Sequence, residues 1–94
     1  MAAYWIGHIR VINEEGYGEY AKRAGPAIEQ HNGRFLARGG RYVTLEGDGF
    51  PRNVIVEFKS VEAAQACYDS PEYQEALAHV AGNAERMLTI LDGL

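Results

Sequence analysis

Asn32-Gly33-Arg34-Phe35-Leu36-Ala37-Arg38-Gly39-Gly40 decides the fold, because a helix stop, a strand and a strand-breaking glycine pair follow one another without a spare residue. Gly33, after His31-Asn32, is expected to supply the left-handed conformation that closes a helix. From Arg34 the period drops to two. Phe35 and Ala37 alternate with Arg34, Leu36 and Arg38, the pattern of a strand with one face toward a core. Gly39-Gly40 marks a bulge or sharp bend before Arg41 to Leu45 resume an extended path.

Working upstream, the helix that stops at Gly33 starts after Asn13, whose side chain can cap the free amides of the first turn while Glu14 and Glu15 favour the positive end of the dipole. Its apolar stripe is Tyr17, Tyr20, Ala21, Ala24 and Ile28, and Gly25-Pro26 is expected to bend it. A strand from about Ala3 to Val11 precedes it. Trp5, Gly7, Ile9 and Val11 occupy one face of that strand, and Tyr4, Ile6, His8 and Arg10 the other.

Downstream, Glu46-Gly47-Asp48-Gly49 is turn chemistry. Asn53 to Phe58, with Val54-Ile55-Val56 contiguous, reads as an interior strand buried on both faces. Ser60 caps a second helix carrying Val61, Ala64, Cys67 and Tyr68. Ser70-Pro71 restarts helical structure with Tyr73, Leu77 and Val80 on its stripe, proline standing at its tolerated first position. Gly82-Asn83 stops it, and Arg86 to Leu91 reads as a last strand.

The order is β-α-β-β-α-β, an α+β ferredoxin-like sandwich in which both helices cover one face of a four-stranded antiparallel sheet. The other face would present Tyr4, Ile6, Leu36 and Ile55, and leaving such side chains in water forfeits roughly 1.5–3 kcal/mol each. An identical subunit is the expected cover, giving a closed, barrel-like homodimer. The competing expectation is a monomer kept soluble by Arg10 and Arg34 lying over that face.

The totals agree with one domain over residues 1–94: 47% of the chain is hydrophobic and 23% charged, ordinary globular composition. A net charge of −4 lacks the positive footprint of a nucleic-acid binder. The single cysteine, Cys67, sits among alanines and reads as a buried thiol in a reducing compartment. The apolar start is too short for a signal-peptide core or a membrane span, so a cytoplasmic protein with no membrane partner is expected.

Together, Ala3-Tyr4-Trp5-Ile6, Gly33 to Gly40, Leu45-Glu46-Gly47, Val56-Glu57-Phe58 and Ser70-Pro71-Glu72-Tyr73 give the chain a resemblance that runs over nearly its whole length. It resembles the bacterial family called domain of unknown function thirteen-thirty, grouped with the dimeric α+β barrel superfamily. The resemblance implies a ferredoxin-like subunit and a dimeric barrel. It brings no catalytic residues with it, since the superfamily spans cofactor-free oxygenases, lactone isomerases, haem-degrading enzymes and ligand-binding regulators.

Candidate chemistry comes from alternation. With Trp5, Ile9, Val54, Phe58, Phe35 and Ala37 toward the helices, His8, Glu57 and Arg38 share the opposite face, and the ferredoxin-like strand order sets Glu57 between His8 and Arg38. Such a row suits proton transfer: Arg38 holds a carboxylate or enolate while Glu57 orients the His8 imidazole. The competing reading, which needs no chemistry, is a structural polar network inside a dimer in which Glu57 satisfies Arg38 and His8.

Arg34, Arg38, Arg41 and Arg52 form a basic cluster that would attract a small anion, or would protect a sheet edge from aggregation. Tyr17, Tyr20, Tyr68 and Tyr73 face the sheet, their hydroxyls able to line a cleft, and Tyr20 is the expected ligand contact. His31, near a helix end, and His79, one turn after Glu75, read as structural. The histidines lack paired spacing, so no metal and no cofactor is expected. The functional expectation is a homodimer binding a small anionic or oxygenated aromatic molecule, with cofactor-free isomerase or oxygenase activity in which His8 or Glu57 is the base and Tyr20, Arg38 and Arg41 bind the substrate. Its alternative is a non-catalytic ligand-binding or assembly module.

Overall fold

The structure is a computed structural model that describes residues 1–94. In chain order the elements are β1 (Ala3–Val11), α1 (Glu14–Gln30), β2 (Arg34–Arg38), β3 (Arg52–Phe58), α2 (Val61–Asp69), α3 (Pro71–Leu77) and β4 (Ala84–Asp92). The four strands form one antiparallel sheet in the order β2-β3-β1-β4. This is the ferredoxin-like arrangement, with the second helical crossover split into α2 and α3. No helix is long and apolar enough to cross a membrane.

Each helix begins where its cap predicts. Asn13 accepts from the Gly16 amide, Ser60 from the Ala63 amide and Ser70 from the Tyr73 amide, each satisfying an amide that the first turn leaves free. α1 continues through Gly25-Pro26 to Gln30. Its buried residues meet Trp5, Ile9, Val56 and Phe58 of the sheet and Tyr73 of α3 in one core. The Trp5 ring centroid lies 5.8 Å from that of Phe58 and 5.0 Å, edge-on, from that of Tyr73.

Three local expectations are corrected. The left-handed residue after α1 is Asn32, with φ 63°, and not Gly33. Gly33 donates to the Ile28 carbonyl at 2.9 Å, closing the helix one residue further on. It is glycine because a Cβ there would stand 2.6 Å from Ile28 Cγ2 and 2.8 Å from Phe58 Cζ. Arg41 to Leu45 form no strand, since Gly39 and Gly40 both take positive φ and turn the chain off the sheet edge. β4 is longer at both ends than the apolar pattern suggests, because its pairing with β1 runs from Ala84 to Asp92.

The fourth correction moves a site residue. In β2 the register slips between Phe35 and Ala37: Phe35 stands opposite Val56, but Ala37 stands opposite Ile55, so Leu36 is an extra residue. The bulge inverts the alternation beyond it. Arg38 therefore pairs with Val54, which faces the helices, and its guanidinium carbon lies 4.1 Å from the Phe35 ring centroid.

Candidate functional site

The expected row of His8, Glu57 and Arg38 does not assemble. On β3, Glu57 stands opposite Tyr4 while His8 stands opposite Asn53, which separates Glu57 from His8 by four residues, about 13 Å along the strands. Glu57 is instead ion-paired with Arg34, its neighbour on β2, at 3.2 Å. Arg38 is on the other face altogether.

His8 has a local partner of its own. Asn53 donates through Nδ2 to the Phe50 carbonyl at 3.1 Å, which fixes its amide and turns Oδ1 toward His8 Nδ1 at 2.7 Å. An amide oxygen only accepts, so Nδ1 carries the proton and Nε2 is left free. The imidazole lines a shallow recess with Phe50, Met87 and the exposed Tyr42 to Glu46 segment.

On the helix-covered face the sheet register gathers a different set. Arg52 of β3 and Arg86 of β4 occupy the same rung, flanking Ile9 of β1. In the next rung Arg38 of β2 is followed by Val54, Gly7 and Leu88. These three arginines line one cavity between α1 and the sheet, with Tyr17, Tyr20, Phe35 and mostly apolar side chains, and no acidic residue lines it. Its volume is about 40 Å³, room for one or two water-sized groups.

Two glycines create the space. At Gly7 a Cβ would approach Leu88 Cδ1 to 3.2 Å, and at Gly25 it would stand 2.9 Å from Arg38 Nη2. Gly25 thus lets the Arg38 guanidinium reach the helix. Arg38 itself is exposed, so it stands at the solvent side of the cavity, whereas Arg52 and Arg86 are half-buried.

None of Arg38, Arg52 and Arg86 makes an ion pair; the pairs of the chain use Arg10, Lys22, Arg23, His31 and Arg34. Arg86 lies over the Tyr20 ring, its guanidinium carbon 4.6 Å from the centroid, and donates to the Tyr73 hydroxyl at 3.3 Å. The Tyr20 and Tyr73 hydroxyls are 2.7 Å apart. Burial, then proximity to Tyr20, pushes the Tyr73 hydroxyl above the usual tyrosine value, and burial raises Tyr17 likewise. Both tyrosines therefore hold their protons at neutral pH.

Of the residues singled out from sequence, Tyr17, Tyr20, Arg38 and Arg52 come together here. Arg41 lies exposed in the irregular segment and Arg34 is on the open face. Tyr68 packs on Trp5 and Tyr73 rather than lining the cavity. Arg86 is the member that sequence reasoning missed. Its signal was an arginine in phase with Leu88 and Ile90, where a strand facing a core should carry a third apolar residue.

The fold recurs in solved structures. A protein of unknown function from Rhodopseudomonas palustris is 22% identical, with a TM-score of 0.78 over 99% of this chain and 82% of its own. A dimeric ferredoxin-like protein of unknown function from a Jannaschia species is 12% identical, TM-score 0.70, covering 99% and 100% of the two chains. SnoaB, a cofactor-independent oxygenase from Streptomyces nogalater, is 9% identical, TM-score 0.68, over 99% and 93%. At these identities the likeness shows the fold alone. No curated protein matches the chain in sequence. One family model does match, over residues 2–94, and on that match the chain belongs to the family described as Domain of unknown function (DUF1330).

Proposed function

We propose that this protein binds a small organic anion with an oxygenated or aromatic body in the cavity between α1 and the sheet. The observation that carries the reading is three arginines converging on one small, mostly apolar cavity with no carboxylate to neutralise them. Cations held together without partners repel one another and lose hydration, so a fold keeps them where an anion repays the cost. An anionic head fits the cavity, and the ligand's body lies toward the solvent side, against Phe35 and Arg38. Tyr20 and Arg38 are the contacts we assign first, joined by Arg52 and Arg86.

The catalytic form of this reading is cofactor-free proton transfer of the isomerase or oxygenase type, in which the arginines stabilise charge developing on a substrate oxygen. SnoaB's description as a cofactor-independent oxygenase is in keeping with such chemistry on this fold. The non-catalytic form is a ligand-binding module using the same contacts. Turnover of a ligand found by binding separates the two.

A thermal-shift screen of small carboxylates and phenolates against the wild type, Arg38→Ala and Arg86→Met tests the binding. A ligand at ten times its Kd stabilises by about 1.4 kcal/mol, roughly 6–11 °C for a domain of this size. The shift should shrink in both variants. An anion that stabilises all three proteins equally removes the cavity from consideration.

A second reading concerns the open face, where His8 keeps a free Nε2. Tyr4, Ile6 and Ile55 are half-buried there, Met87 and Leu91 are more than half exposed, and related folds are described as dimeric. We propose that a second copy covers this face and encloses the recess beside His8, which makes His8 the candidate base on that side. Light scattering of Ile55→Glu checks it: a monomer is expected where the wild type is a dimer, and a wild type that is monomeric at micromolar concentration refutes it.

A further inference from the structure

The hydroxyl pair behind the cavity has a direction, and the direction says what the ligand offers. We propose that Tyr73 and Arg86 act as positioning residues that leave Tyr20 a one-way hydrogen-bond donor to a single anionic oxygen of the ligand, so that the site favours phenolates and enolates. The proposal rests on the anion-binding reading above and narrows its ligand class.

A guanidinium can only donate, so the Tyr73 oxygen accepts from Arg86. Tyr73 is fully buried and its hydroxyl has one other polar neighbour, the Tyr20 oxygen at 2.7 Å. Were Tyr20 to donate to Tyr73, the Tyr73 proton would be buried without an acceptor, which folded proteins avoid. Tyr73 therefore donates to Tyr20, and burial keeps that proton in place.

The chain of donors runs from Arg86 through Tyr73 to Tyr20. Tyr20's own proton has no partner within the protein, and Tyr20 lines the cavity whereas Tyr73 does not. Each link polarises the next, so the last hydroxyl is a better donor than an isolated tyrosine. Arg86 lies over the Tyr20 ring and adds positive charge to the same corner. An oxygen that has just lost a proton is the acceptor such a corner stabilises most.

4-Nitrophenol is a suitable probe, because its anion absorbs in the visible and its neutral form does not. Bound to the wild type, it should ionise at lower pH than in solution, since Arg38, Arg52, Arg86, Tyr17 and Tyr20 face it and no carboxylate does. Arg38→Ala should weaken binding of the anion. Tyr20→Phe and Tyr73→Phe should each weaken it roughly three- to tenfold and return part of the ionisation shift, although Tyr73 does not touch the probe.

Tyr73→Phe titrating as wild type, with Tyr20→Phe altered, would overturn the relay while leaving the pocket standing. Binding that depends on Arg38 but on neither tyrosine would overturn the donor assignment. Failure of the probe and of the carboxylates to bind the wild type at all would overturn the anion-binding reading itself. Should Tyr73→Phe not fold, 13Cζ-labelled tyrosine in the wild type decides: the Tyr20 resonance should move on adding the probe, and a motionless Tyr20 refutes the proposal.

Discussion

Replacing Gly33 with alanine should damage the fold by crowding, not by backbone strain. The added Cβ would sit 2.6 Å from Ile28 Cγ2, 2.8 Å from Phe58 Cζ and 3.0 Å from the Ile28 carbonyl oxygen. Ile28 and Phe58 are both core residues, and the carbonyl accepts the Gly33 amide, so β2 or the end of α1 must shift. Burying one methyl returns about 0.8 kcal/mol, but overpacking of this kind costs about 1–3 kcal/mol. A net loss of about 1 kcal/mol lowers Tm by roughly 4–8 °C in a domain of this length. Asn32, the left-handed residue beside it, should behave oppositely: Asn32→Gly relieves its φ and gains up to about 1 kcal/mol. Urea unfolding of both variants at one fixed protomer concentration gives the comparison. Displacing β2 also moves Phe35 and Arg38, so anion binding should weaken in Gly33→Ala alone. Gly33→Ala within about 0.5 kcal/mol of wild type, or Asn32→Gly as damaging as Gly33→Ala, would refute the assignment.

Gly25→Ala places a methyl 2.9 Å from Arg38 Nη2, so the guanidinium should swing away and anion binding weaken about tenfold or more, read by calorimetric titration, while the fold persists because only a flexible side chain must move. Burial, with a smaller contribution from Glu72, pushes the Cys67 thiol up to about 11. The folded value is raised, so this stability is present below the unfolded thiol's range near pH 9 and is lost as pH climbs toward 11; Cys67→Ala should flatten the fall in denaturant midpoint over that interval. In nitrogen-detected NMR at neutral pH, His8 should show its proton on Nδ1, and the Nε2-protonated tautomer would refute the fixed Asn53 amide.

Caps and periods are local, and the sequence carried them without help. Asn13, Ser60 and Ser70 are short acceptors beside free amides, and a period of two or 3.6 states which face is apolar; neither needs a distant partner to be read. From these the element order, the ferredoxin-like sheet and its two faces followed. Alternation also placed His8 correctly on the open face. Which residues stand opposite one another is a property of two strands at once. A single extra residue, Leu36, carried Arg38 from the open face to the covered one, and no pattern within Arg34 to Arg38 distinguishes a bulge from a regular strand. Tertiary structure alone set Arg52 and Arg86 on either side of Ile9, parted Glu57 from His8, set Gly7 against Leu88 in the cavity wall, and gave Gly25 its purpose as the room that Arg38 occupies. Those are through-space relations among segments far apart in the chain, and they exist only once register is fixed by the packing of the whole sheet against its helices.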